Sequence, residues 1–296
     1  MRLSILSFLL VFCLQSIAQE TPIAKIYYVF KHMNDTAQRD KFLRDNVGTY
    51  LGVKTSLYTS VSSDKVNEKL KEQMSNPSFD GNIVLSKNTS TIKSSYVLDL
   101  AKNELQEVYR VASDEYLLKE NFPVLDWEIF EDSKVIGGYT CQKATTKFKG
   151  RTYEAWFTTE IPMPFGPWKL HGLPGLILSA ADTKQEVMFE FDGFEKIEGD
   201  TPLKIQPSEK AISATKEEVE KLDKAFRNNP SAYIESRQAN NSKMISSGNG
   251  VVVKSSSSGS AAGGVMDPSR IKSISINNEE NYKPSQITNN PIELIP

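Results

Sequence analysis

Histidine and cysteine are scarce, with two of each among 296 residues. His32 and His171 stand outside any H-x-x-H, H-E-x-x-H or Cys-His spacing, so neither a structural nor a catalytic metal site is expected. Cys13 lies in the apolar run at the N-terminus. That leaves Cys141 as the one cysteine after it, which excludes an intramolecular disulfide there and reads as a small buried side chain. No G-x-S-x-G elbow surrounds a serine and the motif-bearing stretches hold no phosphate loop, so serine hydrolysis loses its usual carrier and no cofactor is expected. Charge of one sign is also lacking. The 37 acidic and 35 basic side chains leave a net −2, no footprint for nucleic acid or an anionic membrane surface.

What is present begins with a leader. Arg2, the apolar run 3–14 and then Ser16-Ile17-Ala18 before Gln19 have the layout of a secretory signal peptide, residues 1–18, removed on export through the Sec pathway. The run is too short to span a bilayer. Lipidation at Cys13 is not expected, because Phe12 is bulky where lipoprotein cleavage needs a small residue.

Residues 19–240 read as a single domain with a substantial core. Alternation predicts strands at 23–33 and 48–61, with a loop or short helix at 34–46 between them. A helix follows Ser63 or Asp64, carries Val66, Leu70 and Met74 on one face, and stops at Asn76-Pro77. A meander is predicted over 95–120, then strands at 126–130, 135–148 and 151–159, the last two joined by a Lys149-Gly150 hairpin loop. A second hairpin pairs 176–181 with 185–196. Thr215 to Glu218 form a capping box for a helix ending at Asn229-Pro230, and a shorter helix is expected over 232–238. Residues 241–264 are a Ser/Gly-rich linker and 265–296 a polar tail. The expected fold class is α+β: a strongly twisted, half-barrel-like antiparallel sheet packed with two or three helices, plus a flexible C-terminal tail.

The segment Gly172-Leu173-Pro174-Gly175-Leu176-Ile177 carries two glycines and a proline within leucine and isoleucine. Pro174-Gly175 is expected to form a type II turn with positive φ at Gly175, and Gly172 to let another backbone come close. Proline-dense residues 161–167 precede it as an extended crossover. Trp127, Trp156 and Trp168, with Tyr153, Phe157 and Phe165, could line a ligand groove or simply build core. Trp156, Trp168, His171, Tyr153 and Phe165 are the candidate contacts for a ligand or partner. Asp126, Glu154 and His171 are the candidates for a hydrolytic reading, and an Arg151 carboxylate pair is expected to fix the hairpin.

Gly138-Tyr139-Thr140-Cys141, Gly150-Arg151-Thr152-Tyr153, Ile161-Pro162, Gly166-Pro167-Trp168-Lys169, Gly172 through Leu178 and Asn290-Pro291-Ile292-Glu293-Leu294 follow one another in this order along the chain. In these motifs the chain resembles the GLPGLI family of secreted Bacteroidota proteins, most closely over 126–197. The resemblance implies a periplasmic or outer-membrane-associated protein in the company of outer-membrane receptors, with no established activity. The expected function is therefore a non-enzymatic module binding an outer-membrane receptor, another envelope protein or an apolar ligand. A periplasmic hydrolase is the alternative.

Overall fold

Period-two alternation, repeated along nearly the whole chain, decides the architecture. The computed structural model describes residues 19–86, 91–199, 201–236, 272–277, 285 and 287–295. The expected signal peptide and Ser/Gly-rich linker lie outside the described residues.

The strands are β1 (Ala24–His32), β2 (Leu43–Leu51), β3 (Thr55–Ser60), β4 (Asn82–Ser86), β5 (Ser94–Asp99), β6 (Glu104–Val111) and β7 (Asp114–Glu120). They continue as β8 (Glu128–Ile136), β9 (Tyr139–Phe148), β10 (Arg151–Thr158), β11 (Leu176–Asp182), β12 (Val187–Lys196), β13 (Ile212–Ser213) and β14 (Ser273–Asn277). Twelve of them form one sheet in the order β13-β7-β6-β5-β3-β2-β1-β12-β11-β10-β9-β8. Every pairing in it is antiparallel except β13 with β7. β4 and β14 make a separate parallel pair. The long helices are α1 (Ser62–Ser75) and α2 (Lys216–Asn228), with a helical stretch at 230–236.

The protein is therefore mostly β, which corrects the expected α+β packing. The sheet's main apolar face is covered by chain without helical structure. The crossover between β10 and β11 is wholly buried at Phe165, Leu170 and Leu173, and these side chains join Ile26, Tyr28, Val47, Phe157 and Phe189 in one core. Burying each such side chain stabilises the fold by about 1.5–3 kcal/mol.

A buried loop must satisfy its own backbone. This one does so through the sheet and through itself. Tyr28 donates its hydroxyl to the Ile177 carbonyl at 2.6 Å, Thr49 to Gly166 at 3.1 Å and Trp127 Nε1 to His171 at 2.8 Å. Ile177 N–H reaches Phe165 O at 2.9 Å and Gly172 N–H reaches Pro164 O at 2.9 Å.

The two glycines of the motif exchange the roles expected of them. Gly172 has φ +92° and open space where a Cβ would stand. Gly175 lacks positive φ, and a Cβ there would lie 2.0 Å from the Thr158 carbonyl oxygen. Conformation selects the first glycine and close backbone approach the second.

Other differences have local causes. The expected strand 48–61 breaks at residues 52–54, and 135–148 breaks at Gly137 and Gly138, both with positive φ. Lys149 and Gly150, also at positive φ, close the β9–β10 hairpin in two residues as expected. α2 has the expected capping box, Thr215 with Glu218. The tail is not wholly flexible: β14 pairs with β4, and residues near 290 dock on the domain, with Asn290 buried.

Gly175→Ala should therefore cost about 3 kcal/mol or more by forcing strands β10 and β11 apart, while Gly172→Ala should cost about 1–2 kcal/mol of backbone strain. Urea midpoints of the two variants measure the difference, and equal losses would contradict the exchanged roles.

Candidate functional site

The start of β10 and the β11–β12 turn bring together a buried guanidinium and the end of the described chain. Arg151 is 4% exposed. Its Nη1 donates to Asp182 Oδ2 at 2.7 Å and Glu186 Oε2 at 3.0 Å, its Nη2 to Asn290 Oδ1 and the Pro291 carbonyl at 2.7 Å each, and its Nε to the Ile292 carbonyl at 2.8 Å. All five guanidinium N–H groups are thus used. Asn290 in turn donates to the Met33 carbonyl at 2.7 Å and Glu186 at 3.1 Å, and its own carbonyl accepts from His32 Nε2 at 2.7 Å. The carbonyl partner requires the proton of neutral His32 to sit on Nε2. The expected carboxylate partner of Arg151 is present, but it is the pair Asp182 and Glu186 rather than Glu154 or Asp126.

The segment held by this network walls a cleft of about 580 Å³ beside α2. Its floor follows from the register of three strands. Tyr96 on β5 lies opposite Glu107 on β6, and Glu107 opposite Leu118 on β7, so Tyr96, Glu107, Tyr109, Leu118 and Glu120 share one sheet face. Trp168 and Lys169 enter from the crossover, Glu293 from the docked tail, and Asp223 and Arg227 from α2.

Lys169 is 3% exposed and lies 3.2 Å from Glu120 Oε2 and 2.6 Å from Glu293 Oε1, with its Nζ 5.0 Å from the centre of the Tyr96 ring. Burial works against its charge, but Glu293, Glu120 and Glu107 outweigh that and hold the ammonium above its ordinary pKa. Burial pushes the Glu107 carboxyl up, against the Ser94 hydroxyl it accepts from and against Lys169. Glu120 adds to the upward push. The floor thus joins a carboxyl biased toward its proton to an ammonium held charged.

Trp168 carries a further mark. Its φ is +56°, a left-handed conformation that costs a bulky side chain on the order of 1–2 kcal/mol. Its ring packs against Phe148 and Tyr153 at 5.5 and 6.0 Å. Residues held in sparsely populated backbone regions concentrate at binding sites.

The aromatic candidates do not form one groove. Tyr153 and Phe165 are 0% exposed and belong to the core, and the buried Tyr153 hydroxyl has no hydrogen-bond partner among the described residues. Trp156 projects from the opposite face of β10, under Lys134 at 4.0 Å from the ring centre and bonded to Glu154 at 3.0 Å. Of the five, only Trp168 lines the cleft. His171 is buried, contacts the Pro123 carbonyl at 3.1 Å and packs on Phe122. Glu154 pairs with Lys143 at 2.8 Å, and Asp126 is exposed. Glu154 and His171 are thus engaged separately, and none of the three hydrolytic candidates lines the cleft.

Sequence reading missed Glu107 and Glu120. The signal was there: Leu105, Glu107, Tyr109 and Val111 alternate on one face of β6, and a carboxylate in that row marks an apolar face interrupted by something polar. Among the described residues, no group of three or more His, Cys, Asp or Glu is placed to hold a metal ion, and no helix is long and apolar enough to cross a membrane.

Residues 44–189 match the family model described as the N-glycanase peptide N-terminal domain. Two solved structures of PNGF-II, in space groups P21 and C2, are similar at 14% and 15% identity and a TM-score of 0.46 each. They cover 68% of this chain, which spans about a third of theirs, 33% and 32%. No curated protein matches the chain.

Two measurements test the network. Arg151→Lys, which cannot reproduce the five-donor fork, should lower unfolding free energy by about 3–5 kcal/mol in urea titration. Burial, opposed by the Asn290 contact, holds His32 down to about 4 in the folded protein against about 6.5 unfolded. Between those values only the unfolded chain takes up the proton, so stability is full above about pH 6.5 and falls by about 3 kcal/mol as pH drops through 4. His171, also lowered by burial, adds in the same direction, while Glu107 acts oppositely. His32→Gln, which keeps an N–H for Asn290, should flatten the profile of melting temperature against pH.

Proposed function

We propose that the chain is an exported cell-envelope protein of the GLPGLI type, periplasmic or outer-membrane associated, whose sheet domain is a binding module acting with outer-membrane components. The observation that carries this reading is the cleft over β5, β6 and β7, a preformed cavity whose walls come from the crossover, α2 and the docked tail. Its floor charges are engaged with one another, as in a surface built for recognition. The signal-peptide layout of residues 1–18 supports export.

The partner is an outer-membrane receptor or another envelope protein. The match of residues 44–189 to the N-terminal domain of an N-glycanase favours a partner that bears glycans. An apolar ligand suits the cleft less well, because it would cover the parts of Glu120 and Glu293 still in water without replacing their hydrogen bonds. Hydrolysis by Asp126, Glu154 or His171 lacks the shared geometry that general acid-base chemistry requires.

A photo-reactive amino acid in place of exposed Lys224, on the cleft rim, should cross-link in intact cells to one reproducible outer-membrane product. Glu120→Gln should weaken that product several-fold. Diffuse labelling of the cell wall, unchanged by the substitution, would overturn the reading.

A further inference from the structure

The lining of the cleft is specific enough to name a ligand chemistry. Three features coincide. Trp168, Tyr96 and Tyr109 present aromatic side chains along it, the first in a left-handed backbone conformation and the other two half-buried on neighbouring strands. Carboxyl groups of Glu107, Glu120 and Glu293 converge on the single ammonium of Lys169, so acceptors and donors stand side by side on the floor. On the helix wall Arg227 pairs with Asp223 at 2.6 Å, and Lys93 pairs with the same carboxylate.

Each ligand class meets this lining differently. An anion would face the three floor carboxyl groups. A cationic ligand would compete with Lys169, which is already buried among them. A hydrocarbon would bury charge without hydrogen bonds. A neutral polyol meets none of these obstacles, since each hydroxyl both donates to a carboxylate and accepts from an ammonium or guanidinium. The C–H faces of a pyranose ring suit an aromatic floor, which combines apolar area with a fixed plane. The volume of about 580 Å³ lies within the range of small-ligand clefts.

We infer that the cleft between the β5–β7 face, α2 and residues 291–293 is a seat for a neutral oligosaccharide, with Glu120 and Lys169 bonding hydroxyl groups and Tyr109 supporting a ring face. The inference rests on the cleft being the binding seat proposed above.

The test uses the full mature chain in calorimetric titration with mannotriose and N,N′-diacetylchitobiose, against sialyllactose, spermine and a short-chain phosphatidylcholine. Saturable binding of a neutral sugar, weakened about tenfold or more by Glu120→Gln and by Tyr109→Ala, is the expected result. Both variants are checked for folding by near-ultraviolet circular dichroism and melting temperature. If the folded wild-type protein binds neither neutral sugar, or if both folded variants bind as tightly as wild type, the inference fails. A charged probe or the lipid binding best overturns it as well. The Lys224 cross-link separates the two claims: if it persists and depends on Glu120 while no sugar binds, the binding seat stands and only the ligand class falls.

Discussion

The structure depends on a positive charge kept away from water. Arg151 sits at the start of β10, and nothing in its own hairpin could satisfy five donors. Asp182 and Glu186 supply two acceptors from the β11–β12 turn, and the tail supplies the other three. A guanidinium removed from water is tolerable only when such a set is complete, because desolvation is offset by geometry and full hydrogen bonding. The same contacts place Glu293 beside Lys169 and Lys149. The network that ties the start of β10 to the β11–β12 turn and the docked tail thereby also shapes the cleft.

A second constraint is the way the broad apolar face of the sheet is closed. Helices are the usual cover, since they satisfy their own backbone. Here a proline-rich crossover does it, and each proline in 161–167 removes an N–H that would otherwise need a buried acceptor. Tyr28, Thr49 and Trp127 satisfy carbonyl groups along the crossover and its exit into β11. α2 and the 230–236 helical stretch cover a smaller cluster of Val111, Tyr116 and Leu118, through Val219 and Tyr233 respectively.

Strands with one buried face were legible in the sequence, because alternation is local. The meander, the two-residue loop at Lys149-Gly150 and the α2 capping box could all be placed for that reason. Cover by the crossover was not legible as the dominant layer, since Phe165 and Leu170 show no period that says what they pack on. β4 and β14 escaped because each is short and paired only with the other, across an interval of sequence that no local pattern bridges. The motif glycines were recognised as backbone positions, but steric approach and positive φ leave the same letter in the sequence. Trp168 and Lys169 were visible as part of an ordered motif. Glu107 and Glu120 became meaningful only when the register set them on one face with Tyr96.

Arg151 and Asn290 are 139 residues apart. During synthesis β10, β11 and β12 are complete long before the segment that supplies three of the acceptors for Arg151. Until then three of the five guanidinium donors must bond water instead. Loop closure over that distance comes before its reward, which slows the final step. Under the export proposed above, late locking would be useful: the domain could not reach its final packing while residues 290–292 were still on the other side of the membrane.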